Sequence, residues 1–237
     1  MRLRFAVAII VAMLVPSLSS AATITLDATS RGAYRNDGVA STGGSGTATG
    51  NYLTGQLTTF QVLNEFRGFY IFDLSTVTGP IVSATFQVSR GVYTSGDASE
   101  TVALFDVSSS LSALAALTGG VTAFADLGSG TSYGSRAFTS ADAPVTPLSI
   151  ALNAAALANL NAAGAGHFAL GSAIASLLGT SDQSVFGATS SGYTTRLVLE
   201  TAPASVPEPF SLLLLGSGLT AMAARKRFWQ SRTTHIS

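Results

Sequence analysis

The chain has no cysteine, which excludes a disulfide framework, a thiolate zinc site and a thiol nucleophile. Its single lysine and single tryptophan, Lys226 and Trp229, both stand near the C-terminus. Only 10% of the residues are charged, so the surface is left to Ser, Thr, Gly and Ala, a composition more usual in exported than in cytosolic proteins. His167 is the one histidine outside the C-terminal tail, and without cysteine it has no partners at a spacing that suits zinc or a Ser-His-Asp triad. Between residues 23 and 205 eleven acidic residues face six arginines, a formal charge of −5 that the neutral total of the whole chain hides. No basic stripe is available for nucleic acid, which is not an expected partner. The 237 residues leave room for one sizeable domain, large enough to bury a core without disulfides.

Both ends differ from the middle. Residues 1–22 carry Arg2 and Arg4, an apolar stretch over 5–15, then Pro16 and small residues ending Ser20-Ala21-Ala22. This is the three-part pattern of a secretory signal peptide, with cleavage expected between Ala22 and Thr23 and with the Sec translocon and signal peptidase as partners. At the other end, Pro207-Glu208-Pro209 precedes the uncharged run FSLLLLGSGLTAMAA, residues 210–224, and the basic cluster Arg225, Lys226 and Arg227. As a helix that run spans roughly 22 Å, short of a hydrocarbon core of ~30 Å. Snorkelling by the three basic residues and an interfacial Trp229 let a transmembrane helix over 210–224 fit a tilted or thinned bilayer. The prolines keep the helix from starting before Pro209. Basic residues outside both apolar segments place those outer ends in the cytoplasm and the domain between them outside the cell.

The Pro-Glu-Pro triplet, apolar run and basic cluster together closely resemble the PEP-CTERM sorting signal of exported bacterial proteins. The resemblance implies recognition of Pro207, Glu208 and Pro209 by an exosortase, a membrane transpeptidase-like protease that processes the exported protein near the motif. It further implies that residues 210–224 are a transient anchor and that Arg225, Lys226 and Arg227 are the cytoplasmic stop. Residues 228–237 continue past the usual end of such signals and are expected to be a cytoplasmic tail. The sorting signal then covers 207–227, with 202–206 (APASV) as linker.

Within the domain expected over 23–201, strands come at turn-punctuated intervals. Residues 23–27 alternate, with Ile24 and Leu26 on one face. The stretch GVASTGGSGTATG (38–50) is expected to be a loop, since the Lys-Ser/Thr of a phosphate-binding loop is missing. FQVLNEFRGFYIFDLS (60–75) is the strongest strand, with Phe66, Tyr70 and Phe72 on one face and Arg67, Phe69 and Ile71 on the other. A return strand over 81–89 sets Val82, Ala84, Phe86 and Val88 on one side, and residues 100–107 make a third strong strand. Leu111, Leu114 and Leu117 predict a short helix ended by Gly119, and residues 124–138 are expected to be loop. Leu148, Ile150 and Leu152 mark a strand, after which Asn153 caps a helix closed by Gly164. Strands over 167–171, 184–188 and 195–201 complete a mainly β fold, expected to be an antiparallel β-sandwich or jelly roll with short helices.

The run Arg67-Gly68-Phe69-Tyr70-Ile71-Phe72-Asp73-Leu74-Ser75, followed by Ile81-Val82-Ser83-Ala84-Thr85-Phe86, resembles the strand pair of DNRLRE-type β-sandwich domains. Those domains are jelly rolls related to carbohydrate-binding modules of secreted bacterial proteins. The resemblance covers about residues 65–89 and implies that Arg67 and Asp73 are structural polar residues.

No catalytic set and no metal site stands out, and no cofactor is expected. Paired carboxylates, Asp97 with Glu100 or Asp73 with Asp106, are the enzymatic option, as in glycoside hydrolysis. Asp27, Asp37, Asp97 and Asp126 are candidate oxygen ligands for Ca2+, although no contiguous calcium loop occurs. Tyr34, Tyr52, Tyr93 and Tyr133 are candidate stacking faces for a polysaccharide. The expected function is therefore a non-enzymatic structural or adhesive role at the cell surface or in the extracellular matrix. The alternatives are a carbohydrate-binding module and, third, a secreted hydrolase.

Overall fold

A computed structural model describes residues 21–41, 46–179, 181–187, 192–203 and 216. The chain divides into a unit of Ala21–Ala202 and a second unit comprising Met1–Ser20 and Pro203–Ser237. Of the second unit only Pro203 and Gly216 are described, Gly216 in helical conformation. The sorting triplet, the cytoplasmic stop and nearly all of the expected signal peptide and transmembrane helix thus lie outside the described residues. Among the described residues no helix is long and apolar enough to cross a membrane.

The unit 21–202 is built from antiparallel strands. Ala22–Asp27 (β1), Thr195–Thr201 (β12), Ile81–Ser89 (β5) and Pro147–Ala151 (β9) form the smaller sheet in that order. The larger sheet runs Val92–Thr94 (β6), Gln183–Gly187 (β11), Thr54–Thr59 (β3), Val62–Asp73 (β4), His167–Ile174 (β10), Glu100–Phe105 (β7) and Ser132–Phe138 (β8). Ser30–Arg35 (β2) also pairs with β4. Phe66 faces Gly55 of β3 on one side and Arg35 of β2 on the other, while Ile71 faces Ser30 and Ala169 of β10. Consequently β3 and β10 share one edge of the twelve-residue β4, and β2 occupies the opposite edge.

The main core lies between the sheets. Tyr70 and Phe72 of β4, Val102 and Leu104 of β7 and Leu170 of β10 meet Phe86 and Val88 of β5 and Leu197 and Leu199 of β12. Each such large side chain contributes roughly 1.5–3 kcal/mol on burial. A helix, Ala154–Ala163 (α3), adds Ala156 and Leu160 to this core. Asn153 caps it as expected, accepting from the amides of Ala155 and Ala156 at 3.1 and 3.2 Å, and Gly164 ends it with φ of 56°.

The opposite face of β4 serves a second, smaller core. Phe69, Ile71, Tyr34 and Ala169 are covered by Leu114 of Leu111–Ala115 (α1) and by Ala123 and Leu127 at Gly120–Asp126 (α2). Burial on both faces explains the doubly apolar pattern of this strand. Phe66 stays in alternation with Tyr70 and Phe72, since the ladders along β4 run unbroken, but it packs with Ala33 and Leu53 in a separate small cluster rather than in the main core.

Several expectations are corrected. Residues 124–138 are not loop: they contain the end of α2 and all of β8. The helix predicted across the three leucines stops at Ala115, because Leu117 turns to φ of 61°, although Leu111 and Leu117 still pack on the second core. The long strand does not begin at Phe60: Phe60 and Gln61, with φ of 52° and 65°, form the tight turn between β3 and β4. Val82 is 54% exposed rather than aligned with Ala84 and Phe86. The ladder jumps from Ser83 opposite Glu200 to Ile81 opposite Thr201, leaving Val82 as the extra residue of a bulge that returns Ile81 to the core. β2 and β3 escaped the sequence reading because most of their residues are polar or small, and β6 because it has only three residues. In β3 the glycine is required: Gly55 has φ of 124°, and a Cβ there would lie 2.2 Å from the Gln183 carbonyl oxygen.

Candidate functional site

The first acid pair singled out in the sequence does meet. Asp97 lies in the turn before β7, Glu100 opens β7, and Gln183 opens β11. The Gln183 amide nitrogen donates to Asp97 Oδ2 at 2.7 Å and to Glu100 Oε1 at 2.9 Å. Glu100 also accepts from Ser95 Oγ at 2.6 Å and from Ser176 Oγ at 2.5 Å. The Gln183 side-chain oxygen in turn accepts from the Leu178 amide at 2.9 Å. Glu100 and Gln183 are both fully buried. A glycoside-cleaving pair needs open space for a sugar and its water between the two carboxylates. Here that space holds the Gln183 amide, so the cluster ties the loop before β7 to the loop before β11 instead of framing a cleft.

The second pair, Asp73 and Asp106, is not joined. Asp73 accepts from the Ser75 amide at 2.8 Å, and this bond holds its carboxyl below the ordinary carboxylate pKa. Asp106 accepts from the Thr131 amide at 2.7 Å. Asp73 thus closes a local turn, whereas Asp106 ties the end of β7 to the residue before β8.

The calcium candidates are scattered. Asp37 forms an ion pair with Arg35, whose hydrogen bonds push its pKa down to about 2. Burial tends to raise the Asp126 pKa, but bonds from the Ser108 hydroxyl at 2.6 Å and the Ser109 amide at 2.8 Å outweigh it and leave a net lowering. Asp97 is held by Gln183, and Asp27 ends β1. Among the described residues no three His, Cys, Asp or Glu side chains gather where they could hold a metal ion.

Three of the four candidate stacking tyrosines are core residues. Tyr34, Tyr52 and Tyr133 are buried, and burial raises the pKa of each. Tyr34 donates to the Ala113 carbonyl at 3.2 Å and accepts from the Gly119 amide at 3.2 Å, fastening β2 to α1. Tyr52 donates to the Ser89 carbonyl at 2.8 Å. Tyr133 stacks on Phe168 at 5.9 Å and pairs with Asn159. Only Tyr93 is partly open, with the Arg90 guanidinium 5.3 Å from its ring centre.

Arg67 and Asp73 both act within the fold. Arg67 pairs with Glu65 at 2.8 Å, lies 4.3 Å over the Phe124 ring and donates to the Phe124 and Ala125 carbonyls at 3.1 Å, which fastens α2 to β4. Arg31 went unnoticed in the sequence. It is 1% exposed, donates to the Gly50 carbonyl at 2.9 Å and the Tyr193 carbonyl at 2.7 Å, and sits 4.6 Å from the Tyr52 ring centre. Its setting among polar and small residues carries no local signal of burial.

His167 is exposed at the start of β10, opposite Asp73 in the ladder. It lines a groove of about 280 Å³ with Asp106, Ser109, Tyr133 and Asn159. On its other side a hollow of about 360 Å³ is lined by Thr29, Ile71, Leu111 and Ala115. This is the surface where an exposed imidazole, a carboxylate and an amide come together.

The expected cleavage point falls on β1. Ala22 is opposite Thr201 and Thr23 opposite Glu200, so cutting after Ala22 removes one rung and leaves five. No known family model matches the chain, and no curated protein matches it either.

Proposed function

We propose that this is an exported protein of the cell surface or extracellular matrix, sorted through a PEP-CTERM signal by an exosortase, with a non-enzymatic structural or adhesive domain. The supporting observation is the coincidence of boundaries. The folded unit spans Ala21–Ala202, while the signal peptide read from the sequence ends at Ala22 and the linker to the sorting signal begins at Ala202. The chain enters the smaller sheet at Ala22 and leaves it at Thr201, directly opposite. Both flanking segments therefore depart from one end of one strand pair, an arrangement suited to a domain held by its ends and then released. We read the two packed sheets as a β-sandwich of jelly-roll kind, bearing an outward face rich in Ser and Thr.

The test compares intact mass and membrane fractionation of the protein from its host with a Pro207→Ala, Glu208→Ala, Pro209→Ala variant. Loss of residues 1–22 and of the tail in the native form, with the variant retained in the membrane, supports sorting. Retention of the tail by both forms reduces the C-terminal segment to a plain anchor.

A second reading, polysaccharide binding, draws on the groove beside His167, where Asp106, Ser109 and Asn159 offer the mixed donors and acceptors that hydroxyl groups use. Glycan-array binding by the released protein that is lost in His167→Ala would favour it.

A further inference from the structure

We propose that β1 is an association edge through which two copies of this chain pair antiparallel, centred on Thr25. The Ala28 amide donates to the Thr195 carbonyl at 2.9 Å, and Asp27 is opposite Arg196. Bonded rungs of an antiparallel ladder alternate, so Ala22, Ile24 and Leu26 bond to β12, whereas the amides and carbonyls of Thr23, Thr25 and Asp27 point away from it. Among the described residues nothing bonds to those outward groups, and all three side chains are exposed.

Edges of this kind are usually blunted by proline, lysine, bulges or short length. The other edges here follow that pattern. β9 opens with Pro147 and is bonded by Arg136 of β8 through the Ser149 carbonyl at 3.3 Å. β6 has three residues and pairs across a bulge at Val185 and Gly187. β8 is bent by a bulge opposite Leu104 and Phe105, and β2 carries bridges to Thr47 and Ala40. β1 has six residues, no proline, no basic side chain and an unbroken register.

The occupant is set by self-complementarity. Pairing centred on Thr25 uses all three outward rungs, with Thr25 opposite Thr25 and Asp27 opposite Thr23 of the second copy. Ile24 and Leu26, which are half-buried beside the main core, then meet Leu26 and Ile24 of the second copy and extend its apolar face. Sliding by two residues loses one rung, and a register centred on Asp27 opposes two carboxylates, which is destabilising. The edge belongs to the folded unit, so the pairing does not rest on the sorting reading.

The cysteine-free chain makes the test direct. Full-length protein in detergent micelles is oxidised as single-cysteine variants and analysed by non-reducing gel and intact mass. Bonded antiparallel partners lie ~5.5 Å apart between Cα atoms, within the ~4.4–6.8 Å that a disulfide spans. Thr25→Cys is therefore expected to give a dimer of twice the chain mass. Thr23→Cys and Asp27→Cys each stand ~14 Å from their own twin and stay monomeric alone, while the double variant dimerises. Thr25→Lys, which puts two ammonium groups together, lowers the dimer fraction in sedimentation at least about fivefold. The proposal is overturned if Thr25→Cys stays monomeric, if the two single controls cross-link equally well, if Thr25→Lys leaves association unchanged, or if Thr25→Cys expressed in the host is captured by a different protein instead.

Discussion

Replacing Gln183 by Ala tests whether the Glu100 cluster is a structural clamp. The substitution removes the amide that donates to Glu100 at 2.9 Å and to Asp97 at 2.7 Å, and it orphans the Leu178 amide. A hydrogen bond to a buried charge is worth about 1.5–3 kcal/mol, and an amide left without its acceptor costs about 1 kcal/mol or more. The expected loss is therefore about 3–4 kcal/mol, a large share of the ~5–15 kcal/mol that holds a domain together. For a unit of this size it lowers Tm by roughly 6–16 °C. Urea and thermal unfolding of the full chain, followed by circular dichroism, measure it. The companion Glu100→Gln, Gln183→Ala double variant removes the charge that needs the amide, so the two changes together cost less than their sum by about 1–2 kcal/mol. A Gln183→Ala loss under about 1 kcal/mol, or strict additivity in the double variant, refutes the clamp.

Asp126 supplies a pH prediction. Its carboxyl is held below the ordinary pKa by the Ser108 and Ser109 bonds against the opposing effect of burial. Its contribution is present above the unfolded value near ~3.9 and is lost as pH falls through the lower folded value. Asp126→Asn should cost about 1 kcal/mol at neutral pH, discounted for its partial exposure, and should flatten the stability profile below pH ~4. Urea midpoints at pH 7 and pH 3 check this, and an unchanged slope counts against it. The bulge in β5 makes neighbouring apolar residues unequal: Val82→Ser should stay within ~0.5 kcal/mol of the parent, while Phe86→Ala, at a fully buried ring, should cost about 3–5 kcal/mol. Comparable losses in the two variants, measured by chemical unfolding, would sink the bulge assignment.

The strands at 81–89 and 195–201 and the helix capped by Asn153 were legible in the sequence, because alternation, capping and a terminating glycine act within a few residues. SRGAYR and TGQLTT carry no such signal. They are strands because β4 offers both edges to them, and their polar residues find partners across the sheet. The candidate site was legible only as a set of residue types. Asp97 and Glu100 are close in the chain, but the Gln183 that joins them stands 83 residues beyond Glu100. Three of the four tyrosines that were candidates for stacking on a ligand fill the core for the same reason: an aromatic ring with a polar tip suits either place, and only the neighbours decide.

What the amino-acid order determined alone is the antiparallel β character, the acidic, cysteine-free middle and the apolar segments at both ends, since composition and short-range periodicity act without a fold. The tertiary structure decided which face of each strand is inside, that Val82 bulges outward, that Arg31 and Glu100 are buried, and that β1 is, among the described residues, the end strand of its sheet. These outcomes depend on pairing between residues far apart in the chain, where register and layer packing, rather than local preference, set what each side chain meets.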